Sequence, residues 1–446
     1  MQTAPWPKGK KIVHLDLKGA PPRIDYIYRL IELFAQLGAD GLLVEYEDMF
    51  PYSGELSLLQ ATAHPAYSHE EVLSIQDVAR SKGLEVIPLV QTFGHMEFVL
   101  KQRSLWGLRE LSQCLGTLSP HGEGGPRLVL EMLRQVVELH PGLSTLHIGA
   151  DEVYMLGEGE ESKRWLSTPG RTVEQLFLSH VTRVAGAVKE AWPHLSIVMW
   201  DDMLRGMSHD TLKASGLVGL IQPMLWDYNP GLNVEETVSL LEKYCAAGLT
   251  DLWAASAFKG ASGVHTSVPG TQRHVDNHLQ WLRVAGAVSP GVRLLGIALT
   301  GWQRYDHMSV LCELMPLALP SLASCLQTLI QGHFGPQVQA AVTGALDISS
   351  VEMDTLDRYV RGWFSPYHRQ RRAINPLICM QIQSQATTLL TMLEERAGVA
   401  RVEMERLYPD STAQEWMEQH LSPVAEPLRR ITEEISVCLP EMVPQQ

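Results

Sequence analysis

Two adjacent carboxylates, Asp151 and Glu152, follow a short apolar run from Leu146 to Ala150 that resembles a buried strand. Neighbouring carboxyl groups repel each other when both are ionised, so a site that removes them from water splits their pKa values and gives them separate acid and base roles. An Asp-Glu pair also opens many solvent-exposed helices, where it stabilises the positive end of the helix dipole. The dipeptide alone favours the helix start, and the surrounding pattern must decide between the two interpretations.

Eight hydrophobic or β-branched runs recur before residue 303, and each is followed by a polar segment and an amphipathic, helix-like stretch. The runs are 11–18, 41–47, 84–92, 144–152, 195–202, 218–228, 251–259 and 292–302. Because they are continuously hydrophobic, they indicate strands buried on both faces, as in a parallel sheet covered by helices. Eight such units predict an α/β fold, a (β/α)8 TIM barrel, in preference to an open doubly wound sheet.

Helix-like segments without strands of comparable quality follow the eighth run, at residues 350–363, 376–408 and 412–437. We therefore predict a catalytic barrel at 1–334 and an all-helical C-terminal extension at 335–446. Within the barrel, Ser68 with Glu71 and Thr172 with Gln175 have the spacing of reciprocal helix caps, so helices are predicted to begin there.

Composition narrows the function classes. The formal charge is -14 and no Lys/Arg cluster occurs, which argues against a nucleic-acid partner. No apolar run has the length of a secretory signal or a membrane span, and the six cysteines form no CxxC pair. We expect a cytosolic protein without a signal peptide, a membrane partner or a cofactor; import into the nucleus and a homodimer stay open.

The carboxyl ends of barrel strands meet on one face, where chemistry takes place in such folds. The eight strand ends supply Asp16, Lys18, Glu45, Glu47, Asp48, Gln91, His95, Glu97, His147, Asp151, Glu152, Trp200, Asp201, Asp202, Trp226, Asp227, Tyr228, Trp253, Lys259, Trp302, Gln303, Arg304 and Tyr305. Aromatic walls with carboxylates and neutral hydrogen-bonding groups suit a sugar, whose C–H faces stack on rings while its hydroxyls bind polar side chains.

Two other ligand classes fit less well. A phosphate site would need a Gly-rich loop, and no GxGxxG follows the first strand. A metal site could use His14, His95, His147 and Asp151, but the chain contains no HxH or HExxH pair. We therefore predict no resident metal.

Three motifs carry a resemblance to a known family. The fourth-strand sequence HIGADE resembles the His-x-Gly-x-Asp-Glu signature of the glycoside hydrolase family 20 β-N-acetylhexosaminidases. QTFGH at 91–95 resembles that family's segment ending in Pro-Gly-His, and LSP at 118–120 resembles its Leu-Asn-Pro loop. The resemblance covers about residues 10–330 and is greatest to a non-secreted branch of the family.

The resemblance implies removal of terminal non-reducing GlcNAc or GalNAc from a small glycoside or glycoconjugate, with retention of configuration by substrate assistance. The substrate's acetamido oxygen would attack the anomeric carbon and form an oxazolinium ion. Glu152 would act as general acid and then base, Asp151 would orient the acetamido nitrogen, and Tyr228 would donate to the acetamido carbonyl. The predicted substrate-binding residues are Lys18, Gln91, His95, His147, Trp200, Asp202, Trp226, Asp227, Trp253, Trp302 and Tyr305.

The chain also departs from the family pattern. Lys18 stands where the family has an Arg that binds distal hydroxyls, Gln91 replaces an Asp, and Gln303-Arg304 replaces Gly-Glu. The preference between gluco and galacto configuration at C4 is therefore not carried over. Two alternatives remain beside the hydrolase: a catalytically silent amino-sugar-binding barrel and a metal-dependent deacetylase.

Overall fold

A closed barrel of eight parallel strands forms the first part of the chain, with the strands adjacent in sequence order and β8 pairing back onto β1. The computed structural model describes residues 4–7, 9–264, 266–335, 364, 369–370 and 376–442. The strands are β1 (Lys10–Asp16), β2 (Gly41–Glu45), β3 (Glu85–Leu89), β4 (Thr145–His147), β5 (Ser196–Trp200), β6 (Gln222–Trp226), β7 (Asp251–Lys259) and β8 (Arg293–Gly301). The predicted (β/α)8 barrel is confirmed, and each strand lies within its predicted run or one residue outside it.

Helices connect the strands and cover the barrel. They are α1 (Ile24–Gln36), α2 (His69–Ser81), α3 (Glu97–Leu100), α4 (Gly124–Glu138), α5 (Glu160–Leu166), α6 (Val173–Ala191), α7 (His209–Lys213), α8 (Val234–Ala246), α9 (Thr271–Ala287) and α10 (Met315–Gln331). Both predicted reciprocal caps are present, with Ser68 and Glu71 at the start of α2 and Thr172 and Gln175 at the start of α6. Each cap satisfies backbone N–H groups that the first helical turn leaves unpaired.

The barrel interior is a packed hydrophobic core. Its members include Ile12, Leu43, Ile87, Leu89, Val198, Trp200, Met224, Trp253, Ala255 and Ala298. All five residues of β2 are buried, as expected for a strand with the barrel interior on one side and helices on the other. The interior of the barrel is therefore packed with side chains, and in barrels of this type ligands bind above the carboxyl ends of the strands.

The chain divides into two compact units, residues 1–345 and 346–446. In the second unit, α11 (Pro376–Leu407), α12 (Asp410–Trp416) and α13 (Ser422–Met442) are joined by short connections, with a π-helical turn at Met417–Leu421. Cys379, Ile382 and Ala386 of α11 pack against Leu428 and Ile435 of α13. The predicted helix at 350–363 lies outside the described residues. The predicted boundary at 334/335 lies at the end of the described range 266–335. Among the described helices, none has the length and apolar character needed to cross a membrane.

Candidate active site

A cavity of about 420 Å³ opens at the carboxyl ends of the strands. Its lining combines carboxylates, cations and aromatic rings: Lys18, Glu45, Gln91, His95, Asp151, Glu152, Tyr154, Trp226, Tyr228, Gly260, Ala261, Trp302, Arg304 and Tyr305. A volume of this size lies within the range of small-molecule sites. Residues at or after the carboxyl ends of seven of the eight strands, all except β5, therefore meet around one space.

The chain after β4 is bent so that both carboxylates reach this cavity. β4 ends at His147, and Gly149, Ala150 and Glu152 have positive φ angles of 63°, 68° and 44°. In a regular strand, neighbouring side chains point to opposite faces. The left-handed residues remove that alternation, so Asp151 and Glu152 both line the cavity. Non-glycine residues in this region are strained, which is common where a site demands a special backbone path.

A close backbone approach supports the bend. Gly94, in the loop after β3, lies so near this segment that an added Cβ would stand 1.9 Å from the carbonyl oxygen of Asp151. Only glycine fits at that distance. The loop after β3 therefore buttresses the backbone of the carboxylate pair directly.

His95 joins the two carboxylates. Its Nε2 is 3.1 Å from Oε2 of Glu152 and 3.4 Å from Oδ2 of Asp151. Burial alone would lower the pKa of His95, but the charge of Asp151 and the hydrogen bond to Glu152 outweigh it and raise the pKa to about 10. The imidazole is thus a cation placed between two carboxylates at neutral pH.

The two carboxyl groups have opposite pKa shifts. Burial raises the pKa of Asp151 to about 7, with Asp202 and Glu45 adding to the rise and His95 opposing it. The hydrogen bond from His95 lowers the pKa of Glu152, whose side chain is still 33% exposed. Different environments therefore separate the two groups, as expected for a pair with distinct roles.

Asp202, which follows β5, binds the backbone of Glu152. Its Oδ2 accepts a hydrogen bond from the Glu152 backbone N–H at 2.9 Å, and its Oδ1 accepts one from Trp226 Nε1 at 3.2 Å. Asp202 does not line the cavity itself. It fixes Glu152 and one aromatic wall relative to each other.

The aromatic wall consists of three side chains. Trp226 and Tyr228 stack with ring centroids 5.3 Å apart, and Trp302 Nε1 donates to the Tyr228 hydroxyl at 3.2 Å. Burial raises the pKa of Tyr228 well above its usual range, so the phenol keeps its proton. Tyr228 can therefore donate a hydrogen bond into the cavity while it accepts one from Trp302.

A buried cation, Lys18, lines the cavity beside Trp302. Lys18 Nζ is 3.0 Å from Oδ1 of Asp16 and 3.8 Å from Oε1 of Glu47, and it lies 5.1 Å from the centre of the Trp302 ring. Burial would lower the pKa of Lys18, but Asp16, Glu47 and Glu45 outweigh it and raise the pKa well above its usual value. The charged ammonium group is therefore held against the ring of Trp302.

Gln91 has a contact pattern that an Asp could not reproduce. Its Oε1 accepts a hydrogen bond from the Ala150 N–H at 3.3 Å, and its Nε2 donates to Oε1 of Glu45 at 3.5 Å. A carboxylate at this position would lie against the carboxylate of Glu45 and could only accept. The amide therefore suits a site where Glu45 lines the cavity from β2.

Five predicted binding residues do not line the cavity, and these placements correct our expectation. Trp253 is third in the nine-residue β7, 3% exposed in the core, and donates to Gln222, because the strand continues to Lys259. Asp227 closes a turn by accepting from Asn229. His147 and Trp200 are buried, with ring centroids 4.5 Å apart. Asp202 contacts the Glu152 backbone and the Trp226 side chain but does not line the cavity.

Five lining residues were not among our predicted site residues, and two of them, Gly260 and Ala261, directly follow β7. Glu45 and Arg304 were predicted to lie at strand ends on this face of the barrel, but no role in binding was predicted for them. Tyr154 was missed, because it lies two residues beyond the carboxylate pair in a loop without strand or helix periodicity. An aromatic residue so close to a catalytic-type pair is the signal that could have identified it.

The histidines considered as metal ligands are engaged elsewhere. His14 Nδ1 accepts from the Gly301 N–H and His147 Nδ1 accepts from the Gly149 N–H, and both rings are fully buried. Neither of them lines the cavity with His95 and Asp151. Within the part of the chain that the structure describes, no group of three or more His, Cys, Asp or Glu side chains is arranged to hold a metal.

Comparison with known proteins agrees with this geometry. A sequence profile described as "Glycosyl hydrolase family 20, catalytic domain" matches residues 42–229. The chain is 46% identical to Hexosaminidase D of Homo sapiens, over 97% of this chain and 96% of that protein. It is 52% identical to Hexosaminidase D of Bos taurus, over 77% of this chain and 98% of the relative.

Solved structures share the fold at low sequence identity. A β-N-acetylhexosaminidase from Bacteroides fragilis matches with a TM-score of 0.55 and 13% identity, over 80% of this chain and 70% of that one. An exo β-N-acetylglucosaminidase from Vibrio harveyi, solved with N-acetylglucosamine, matches with a TM-score of 0.51 and 15% identity, over 75% of this chain and 55% of that one. These likenesses concern the fold alone. From the identity to the human and bovine proteins, the chain belongs to glycoside hydrolase family 20 and is a glycoside hydrolase of the hexosaminidase type.

Proposed function

We propose that the protein is a retaining exo-β-N-acetylhexosaminidase that removes terminal GlcNAc or GalNAc by substrate assistance. The observation that carries the proposal is the pair Asp151 and Glu152, which share one cavity and a cationic His95 but differ in burial and in the direction of their pKa shifts. Such a division suits two different roles on one substrate. The names of the human and bovine relatives support the same activity.

The mechanism needs no protein nucleophile. Glu152 donates a proton to the glycosidic oxygen while the substrate's acetamido oxygen attacks the anomeric carbon, and the C–O bond to the leaving group breaks. The positive charge that develops on the acetamido nitrogen is balanced by Asp151. Glu152, now a carboxylate, then takes a proton from water as the water attacks the anomeric carbon and opens the oxazolinium ring.

The structure of the substrate explains why the two carboxylates are neighbours in the chain. The glycosidic oxygen is attached to the anomeric carbon and the acetamido group to the next carbon, so acid and orienting group must act at neighbouring positions. Tyr228, whose phenol keeps its proton, donates to the acetamido oxygen and holds it in the position of attack. Trp226 and Trp302 supply the aromatic walls against the sugar.

The lowered pKa of Glu152 belongs to the open cavity, where water reaches one third of the side chain. A bound sugar covers that surface, and removal of water raises the pKa of a carboxyl group. The bound substrate therefore favours the protonated acid that the first step requires. In the second step the charge of His95 stabilises the carboxylate that remains.

The shape of the cavity favours an exo enzyme. The floor is closed by the barrel core, including Trp200 beneath Trp302 at a centroid distance of 6.2 Å. A closed floor suits a substrate that enters with its terminal sugar first. The configuration at C4 is not part of the proposal, because Lys18 and Arg304 occupy the distal end where other members of the family are expected to have different residues.

One experiment tests the reaction class. The purified full chain is offered nitrophenyl β-glycosides with and without the 2-acetamido group, and the anomer released first is identified by NMR. We expect rapid cleavage of the N-acetylhexosaminide only, with the β-anomer appearing first. Equal cleavage of the plain glucoside would exclude substrate assistance, and binding without turnover would favour the silent barrel.

A further inference from the structure

Tyr154 stands at the rim of the cavity, two residues after the proposed acid, and the mechanism does not use it. We propose that Tyr154 is the platform for the leaving group, and that this site selects substrates in which a ring, a second pyranose or an aryl group, follows the glycosidic oxygen. The inference rests on the proposed function and assigns the substrate class on its leaving side.

A gradient of burial fixes the direction in which the substrate lies. The side chains of Asp151 and Glu152 are 8% and 33% exposed, and Tyr154 is 59% exposed, so the three cavity-lining residues of this segment become more exposed in chain order, whereas Val153 between them is buried. Asp151 is assigned to the acetamido group, and the sugar that carries this group therefore lies toward the floor. The leaving group, on the other side of the oxygen that Glu152 protonates, lies toward Tyr154.

The backbone of Tyr154 is held although its ring is exposed. Its N–H donates to the Glu152 carbonyl at 2.7 Å, and its own carbonyl accepts from Thr117 Oγ1 at 2.6 Å. A fixed backbone and a side chain with two rotatable bonds cost little entropy when they are ordered against a ligand. The exposed ring is thus prepared to stack on the C–H face of a sugar or on an aryl ring.

The phenol is also electrostatically connected to the acid. Its hydroxyl is directed toward Glu152 and contributes to the lowered pKa of that carboxyl group, after the larger effect of His95. A leaving group that covers Tyr154 therefore also changes the surroundings of Glu152. Ring and hydroxyl can be separated experimentally, because Tyr154→Phe keeps the first and removes the second.

The test compares two glycosides of the N-acetylhexosamine that the wild-type enzyme hydrolyses: the β-linked disaccharide and the methyl glycoside, which differ only in the leaving group. Tyr154→Ala should lower kcat/KM for the disaccharide about tenfold, mainly through KM, because stacking is present before and during bond cleavage. The methyl glycoside has no ring to stack, so Tyr154→Ala should lower its kcat/KM no more than Tyr154→Phe does, because both variants lose the hydroxyl beside Glu152. Tyr154→Phe should keep the preference for the disaccharide.

Met155→Ala is the matched control. Met155 is also exposed, at 54%, and directly follows Tyr154, but it does not line the cavity. The Met155→Ala variant should leave the ratio of the two kcat/KM values unchanged. Thermal unfolding of every variant checks that each one is folded.

Three results would overturn the inference. An equal loss of kcat/KM for both glycosides in Tyr154→Ala would show that the residue acts only through Glu152. An unchanged kcat/KM for the disaccharide would show that Tyr154 makes no contact with the leaving group. A wild-type enzyme that hydrolyses neither glycoside would overturn the proposed function, and the platform with it.

Discussion

Removal of the charge on His95 should shift the pH profile of the enzyme toward alkaline pH. The imidazolium lies 3.4 Å from Oδ2 of Asp151, and with an effective dielectric constant of about 20 this attraction is worth about 5 kcal/mol, or more than three pKa units. This figure is an upper bound, because Glu152 shares the same positive charge. We expect His95→Gln to raise the pKa of Asp151 by about one to three units.

The sign follows from the protonation state that the reaction needs. Asp151 must be ionised to balance the charge on the acetamido nitrogen, and Asp202 and Glu45, which face it, already oppose ionisation together with burial. Without His95, only a backbone hydrogen bond still favours the anion. Activity should therefore be lost at neutral pH and partly recovered at higher pH, with the acid limb of kcat/KM displaced upward.

The assay is kcat/KM from about pH 4 to pH 9 with a nitrophenyl N-acetylhexosaminide, whose good leaving group needs little help from the acid. His95 has a pKa of about 10 and stays charged across that range in the wild type. His140→Gln is the matched control, because His140 is buried outside the cavity and burial lowers its pKa to about 4. An acid limb that does not move in His95→Gln, or moves to lower pH, would refute the reasoning.

Three further predictions follow from the same geometry. Glu152→Gln should lower kcat for a methyl glycoside by roughly 10² to 10⁴ and less for a nitrophenyl glycoside, and near-normal turnover of the methyl substrate would remove Glu152 from its role. Gly94→Ala, whose Cβ would meet the Asp151 carbonyl oxygen at 1.9 Å, should reduce kcat at least about tenfold. Gly107→Ala is the control and should leave kcat unchanged, because no atom lies within 4 Å of the added Cβ. Equal losses of kcat in the two variants would contradict the role of Gly94 in supporting the backbone of Asp151. Treatment with a chelator should leave the rate unchanged, whereas a loss restored by Zn²⁺ would favour the deacetylase.

The fold could be predicted from local patterns. Continuous hydrophobic runs indicate strands buried on two sides, and the observed strands lie in these runs, with β7 matching Asp251–Lys259. The caps at Ser68 and Thr172 are short-range hydrogen-bond patterns that depend only on residues three apart. Ser411 and Gln414 have the same spacing, which predicts a helix start at Ser411, but α12 begins at Asp410 after Pro409 without a side-chain cap.

The placement of single side chains around the cavity could not be predicted in the same way. Trp253 was expected at a strand end, although it is third in the predicted run 251–259; β7 has these same bounds, and the ring of Trp253 lies in the core. β4 has only three residues, and because it ends early the chain can bend over the next five residues and bring Asp151 and Glu152 to the cavity. Strand length and register are set by neighbouring strands, which a local pattern does not contain.

The sequence by itself determined the number of barrel units, the helical segments that follow and the presence of Asp151 and Glu152 at a strand end, because periodicity, capping and motif are local properties. Only the tertiary structure decided that three left-handed residues and Gly94 bring both carboxylates to one cavity, that His95 lies between them, and that Tyr154 stands beside the acid. Burial and charge at a point in space come from residues distant in the chain. For that reason the roles of this pair depend on its surroundings as much as on its own identity.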